Sequence, residues 1–177
     1  MRRLKRSVVL VIGMCLLLCF PVFANELSWE NVPGNHDGSI FLPTSKLVAR
    51  DEYRTVARGY FLSGGSAEII NEANGNIRIN IDTYAHHDVD RIFHTVFLDQ
   101  WDEEDQDWYQ VNSWNFAETK EDTENGKLSD LLTTITVSGY ETNKYYRVRG
   151  LHGVEYNGEA EACATETDGV LITDGPT

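Results

Sequence analysis

The chain has 177 residues, of which 28 are Asp or Glu and 15 are Lys or Arg, giving a formal charge of −13 with neutral histidines. That balance excludes a polyanion such as nucleic acid as the natural partner. With 41% hydrophobic and 24% charged residues, the composition is that of a folded chain, long enough to enclose one hydrophobic core.

The first 24 residues are built as a secretory signal peptide. Arg2, Arg3, Lys5 and Arg6 precede an apolar run from Val8 to Phe20, and Val22-Phe23-Ala24 precedes Asn25 with small residues at the first and third places before the cut. The apolar run is 13 residues long, short of the roughly 20 that a spanning helix needs. Cleavage after Ala24, secretion, and no membrane anchor afterwards are therefore expected. Lipoprotein processing is not expected, because Cys15 follows Met14 and Cys19 follows Leu18.

Removing the four basic residues of the signal leaves 11 basic against 28 acidic residues, a net charge of −17. Solubility outside the cell accounts for such a surplus, and an extracellular protein or a glycan is the partner class that it admits. Only Cys163 survives cleavage, so the mature chain has no internal disulfide and must stand on packing. A strand position is expected for that thiol rather than redox chemistry, since no second cysteine accompanies it.

From Asn25 to Ala57 the composition is mixed, and Pro33-Gly34-Asn35-His36-Asp37-Gly38 and Pro43 punctuate it, which reads as an irregular N-terminal arm over residues 25–57. Trp29, Val32, Ile40, Phe41, Leu42 and Leu47 give it more apolar surface than a free linker carries. It is expected to cover something.

Residues 58–173 switch to period two with turn residues at intervals. That pattern predicts an all-β antiparallel sandwich of about seven strands, immunoglobulin-like or fibronectin type III-like, with a tail at 174–177. In "SAEIINEANGNIRINIDTY", Asn74-Gly75 predicts a hairpin turn. Ile77, Ile79 and Ile81 share one face there, and Arg78, Asn80 and Asp82 share the other. "RIFHTVFLDQW" and "WYQVNSWNF" flank an acidic stretch, "LLTTITVSG" follows a polar connection, and "YYRVRGLHGV" turns through Tyr156-Asn157-Gly158 into "EAEACAT". The passage "TITVSGYETNKYYRVRG" resembles the corner of fibronectin type III domains. Tyr146 would bury its ring there and bond its hydroxyl back to the backbone.

Taken together, the basic signal peptide, "RGYFLSGG", "VFLDQW…DWYQVNSW" and "YYRVRGLHGV" resemble a family of small secreted proteins of Gram-positive bacteria, domain of unknown function 6147. The resemblance runs from about Arg58 to Thr165 and rests on structural rather than catalytic motifs. It implies no activity, substrate or site residue. The acidic turn and the long N-terminal arm depart from the family's pattern.

The stretch "LDQWDEEDQDWYQV", Leu98 to Val111, crowds Asp99, Asp102, Glu103, Glu104, Asp105 and Asp107 around two tryptophans. Setting Trp101 opposite Trp108 closes a tip from Asp102 to Asp107, and pairs Leu98 with Val111, Phe97 with Asn112, Thr95 with Trp114 and Phe93 with Phe116. Ile92, His94, Val96, Leu98, Tyr109 and Val111 then share one face, and Phe93, Phe97, Trp101, Trp108, Trp114 and Phe116 the other. The aliphatic side matches the isoleucine strand and is assigned inward. An aromatic strip is left outside, and a patch of that size calls for an occupant.

Three occupants are weighed: the N-terminal arm, a protein, or a sugar stacked on Phe97, Trp101, Trp108 and Trp114. The acids read as a solvated hairpin tip that discourages edge-to-edge pairing. Calcium is the alternative cofactor, with Asp102, Asp105 and Asp107 as ligands, although the order of an EF-hand loop and its glycine are missing. Catalysis is not expected. His86 and His87 point to opposite faces of a strand, His94 falls on the inward side, His36 and His152 lack metal-spaced companions, and neither a nucleophile elbow nor a phosphate loop occurs.

Overall fold

A computed structural model describes residues 27–36, 38–55 and 61–175. The expected signal peptide lies outside the described residues, as do Arg58, Gly59 and Tyr60 of the first family motif. The chain forms β1 (Val48–Arg54), β2 (Leu62–Asn71), β3 (Ile77–Ala85), β4 (Arg91–Asp102), β5 (Asp107–Thr119), β6 (Asp130–Val137), β7 (Lys144–Tyr156), β8 (Glu159–Glu166) and β9 (Val170–Ile172). A four-stranded sheet runs β1-β2-β3-β6, and a five-stranded one runs β5-β4-β7-β8, with β9 also pairing β7. All the pairings between these strands are antiparallel. The chain is thus the expected all-β sandwich, with nine strands among the described residues where the sequence predicts about seven.

Alternation builds the core between the sheets. Ile77, Ile79 and Ile81 of β3 are fully buried and meet Val96, Leu98, Val148, Val170 and Ile172 from the facing sheet. Each such side chain contributes about 1.5–3 kcal/mol through the apolar surface it removes from water. Tyr146 is buried at the corner, and its hydroxyl donates to the carbonyl of Glu141 at 2.9 Å while lying 2.9 Å from Gln100 Oε1. Cys163 is buried as well, and burial pushes its thiol up to about 12.

Two expectations need correction. The irregular arm ends before Val48: residues 48–54 form β1, an edge strand paired with β2 from Val48↔Ile70 to Arg54↔Gly64. Its inward positions are Ala49, Asp51 and Tyr53, and its outward ones include Arg50, Glu52 and Arg54, so the apolar alternation that announces a strand is missing. Charges on an edge strand also block pairing with other chains.

The second correction concerns the β4–β5 register. Trp101↔Trp108, Gln100↔Tyr109 and Asp99↔Gln110 pair as expected, but Leu98 pairs with Asn112, leaving Val111 as a bulge. Every pairing beyond it shifts by one, so Val96 faces Trp114 and His94 faces Phe116. The bulge switches β5 from one face to the other. Trp108 stays outside while Trp114 and Phe116 pack against the core. A single uninterrupted register could not bury both aromatic sets, and this one-residue insertion resolves the conflict.

One polar chain crosses the core. Thr83 Oγ1 lies 3.2 Å from His94 Nδ1 and 3.0 Å from His152 Nδ1, and the outer ring nitrogens reach Thr133 and Thr165 at 2.9 Å each. Gly65 makes room for the His152 ring, because a Cβ there would sit 2.2 Å from it. Burial lowers His94 to about 4 and, with His94 nearby, His152 to about 3. Above pH 6.5 both imidazoles are neutral in the folded and unfolded chain alike. As pH falls below 6.5, the unfolded chain takes up protons that the folded chain refuses, so stability is lost. Urea unfolding should therefore show a loss of about 2 kcal/mol per histidine between pH 6.5 and 5, above the range in which unfolded carboxylates titrate. A flat stability over that interval would contradict the neutral chain.

Candidate functional site

The outer face of the five-stranded sheet carries the aromatic strip, and the arm occupies it. The arm first lines β8 and the link to β9 as two short parallel bridges, Gly34↔Ala164 and Phe41↔Gly169. Ala164 donates to the carbonyl of Pro33 at 2.9 Å, Gly169 to that of Ile40 at 2.8 Å, and Leu42 to that of Gly169 at 2.9 Å. Gly34 is required by this approach, since a Cβ there would lie 2.3 Å from the Ala164 carbonyl oxygen. Phe41 then packs edge-on against Trp101 at 4.9 Å between ring centroids, and lies 5.9 Å from Trp108 and 4.7 Å from Tyr145. Further along, Trp29 donates its indole N–H to the Thr165 carbonyl at 3.1 Å, and Val32 joins Leu151, Ala164 and Phe97 in a small apolar cluster.

Of the four predicted strip residues, Phe97, Trp101 and Trp108 lie on this face, whereas the bulge carries Trp114 to the opposite one. Between the aromatic rings sits a charge network that sequence reasoning missed. Asp99, 1% exposed, accepts from Arg147 Nε at 3.0 Å and takes two bonds from Arg149, at 2.7 and 3.0 Å. Arg147 also donates to Glu166 at 2.8 Å, and Ser39 of the arm donates to the same carboxylate at 3.0 Å. The guanidinium of Arg147 stacks over Trp108, and that of Arg149 lies against both Trp29 and Phe97, each 4.9 Å from the ring centroid. The available signal was "YRVRG": two arginines two apart on a strand point the same way and need a common partner.

The acids at the tip do not converge. Asp102 Oδ1 accepts from the amides of Glu104 and Asp105 at 2.7 and 3.2 Å, and Asp107 Oδ1 accepts from the amide of Trp108 at 2.7 Å, so both carboxylates shape the turn. Among the described residues, no group of three His, Cys, Asp or Glu side chains is placed to hold a metal ion. Asp102, Asp105 and Asp107 are therefore not brought together as the calcium alternative requires.

The four-stranded sheet differs. Among the described elements, those packed against it are strands of the other sheet on its inner side. Its outer face holds a concavity of about 330 Å³, lined by Arg50, Ser66, Glu68, Asn80, Asp82, Tyr84, Leu132 and Thr134 together with Ile81. Asn80 donates to Glu68 at 2.7 Å and accepts from Thr134 at 2.9 Å, a ladder of side chains across three strands. One row along, Asp82 Oδ1 is buried and, among the described residues, has no hydrogen-bond partner. Burial holds the Asp82 carboxyl above the usual carboxylate range, with the Tyr84 hydroxyl partly offsetting the rise.

Comparisons with known proteins add a family and little else. Residues 40–170 match the family of unknown function DUF6147. No curated protein matches the sequence. Among solved structures, the sporulation control protein Spo0M of Bacillus subtilis is similar with a TM-score of 0.31 and 8% identity, over 72% of this chain and 50% of that one. The chain thus spans about half the length of that protein.

The network predicts an order among substitutions on the closed face. Asp99→Asn leaves Arg149 without its paired carboxylate and Arg147 with Glu166 alone, and should cost about 3–5 kcal/mol in urea unfolding. Phe41→Ala, at a ring already 45% exposed, should cost about 1–2 kcal/mol while making the tryptophan fluorescence more open to acrylamide quenching. Native stability in Asp99→Asn would show that the ion pairs do not hold this face.

Proposed function

The chain belongs to the family of unknown function DUF6147, and from that premise we propose that it is a secreted, non-enzymatic protein that acts outside the cell by binding, through the open face of its four-stranded sheet. The observation that carries this reading is the asymmetry between the two sheets. The arm closes one outer face with backbone bonds, edge-on ring contacts and the hydrogen bonds of Ser39 to the charge network. The other presents a built polar concavity to solvent, and concavities of roughly 300–1,000 Å³ are the usual size of small-ligand sites.

The groups best suited to chemistry support binding over turnover, because they serve the fold. His94 and His152 are neutral, buried and engaged by threonines, and Cys163 is a buried thiol with a raised pKa. A thiol or imidazole acting on a substrate needs access and a pKa near the working pH. Secretion rests on the amino-terminal 24 residues and on the acidic mature chain. The sugar-platform reading of Phe97, Trp101, Trp108 and Trp114 loses its surface, since Phe41 and Arg147 occupy the ring faces and Trp114 turns inward.

Expression of the full chain in a Gram-positive host, followed by amino-terminal sequencing of the protein in the medium, tests the location. The expected product starts at Asn25. A cell-retained product that keeps residues 1–24 would contradict secretion. A thermal-melt screen of that product against cell-wall fractions and soluble glycans tests binding, because a ligand of the native state raises the melting temperature. The rise should vanish on substitution of the open face and persist in Tyr109→Ala, at an exposed site on the other sheet.

A further inference from the structure

The open concavity is built in rows set by strand register. Arg50, Glu68, Asn80 and Thr134 form one row across all four strands, and Glu52, Ser66, Asp82 and Leu132 form the next. In the first row Asn80 donates an amide N–H to Glu68 and accepts at its carbonyl from Thr134, while the Arg50 guanidinium lies 3.7 Å from Glu52. In the second, Asp82 Oδ1 is, among the described residues, a buried acceptor without a hydrogen-bond donor. Beside it Leu132 is 62% exposed, and the ring of Tyr84 borders the same concavity.

The chemistry narrows the ligand. Glu68 and Asp82 oppose an anion. A metal ion is opposed by the Arg50 guanidinium in the lining and by the backbone carbonyls of β2 and β3, which are committed to their ladders in mid-sheet. A neutral ligand that carries donors and acceptors side by side, with C–H surface between them, meets every group present. Adjacent hydroxyls on a sugar ring are that arrangement. One hydroxyl donates to Asp82 while its neighbour accepts from Arg50, and the ring's C–H face rests on Leu132 and Tyr84.

We propose that this concavity is a carbohydrate-binding site for a neutral glycan presenting vicinal hydroxyls, with Asp82 and Arg50 as the polar contacts and Tyr84 and Leu132 as the apolar ones. The proposal rests on the reading of the open sheet as the binding face and names its ligand class. It also places the glycan on the sheet opposite the aromatic strip.

The test is a glycan array probed with the fluorescently labelled mature chain, before and after periodate oxidation, which cleaves the bond between adjacent hydroxyl-bearing carbons. Neutral glycans should be bound, periodate should abolish the signal, and Asp82→Asn should weaken it at least tenfold while leaving the melting temperature unchanged or raised. Native stability is expected there because the substitution removes the charge of a carboxyl group whose Oδ1 is buried with no partner among the described residues. Arg50→Ala, on a half-exposed edge position, gives the same loss of signal without touching the sheet interior, and Tyr109→Ala leaves it unchanged. No neutral glycan bound, a periodate-insensitive signal, or native binding by Asp82→Asn would each overturn the proposal. If substitution here instead abolishes capture of a protein or a charged polymer from cell-wall fractions, the ligand class falls and the open-sheet reading stands. If ligands from those fractions are bound equally by all the variants, both fall.

Discussion

Asp99 sits sealed on the outer face of the five-stranded sheet with a guanidinium on either side, and the arrangement of that face follows from keeping its charge compensated. A lone carboxylate there would be intolerable; with Arg147 and Arg149 bonded to it, both guanidiniums become fixed planes. Those planes carry Trp108, Trp29 and Phe97, and through Glu166 and Ser39 they hold the arm. Buried ion pairs gain little stability over apolar packing, but they fix geometry. Here they set where a loop-like segment crosses a sheet that would otherwise expose a row of aromatic rings.

The two sheets then divide the work. The five-stranded sheet spends both faces on the fold, one on the isoleucine core and one on the arm. Among the described residues the four-stranded sheet packs only its inner face, and on its outer face Asn80 is bonded across strands to Glu68 and Thr134 while Asp82 Oδ1 is left without a partner. An unsatisfied buried acceptor costs about 1–3 kcal/mol, and a protein carries such a cost most readily where a ligand relieves it. This is the physical reason for placing function on the sheet with less apolar surface.

Much of the fold was legible in the sequence because burial leaves a period. Ile77, Ile79 and Ile81 announced their strand and its face, Tyr146 announced the corner, and the two tryptophans fixed the hairpin at its tip. The bulge at Val111 was not legible: nothing in Gln110-Val111-Asn112 marks an extra residue, and a one-residue insertion reverses every face beyond it. β1 escaped for the opposite reason, since its inward positions are Ala49, Asp51 and Tyr53 and no alternation of apolar residues survives. In the candidate site, the outward direction of Asn80 and Asp82 was readable from their strand. Which carboxylate oxygen is buried without a partner depends on residues brought in from β1, β2 and β6 by pairing that local sequence does not encode. The acids that look most conspicuous, at the tip, are spent on shaping a turn.

The central claim is that the arm is part of the folded domain, closing the aromatic face and leaving the other sheet for binding. Hydrogen exchange of the mature chain, resolved to individual amides, tests it most directly. The amides of Leu42, Ala164 and Gly169, which carry the backbone bonds between arm and sheet, should be protected to nearly the same degree as those of the β4–β7 ladder. Exchange of the Leu42 and Gly169 amides at the rate of an unstructured chain, while the ladder stays protected, would contradict the account, because the aromatic face would then be open to a ligand.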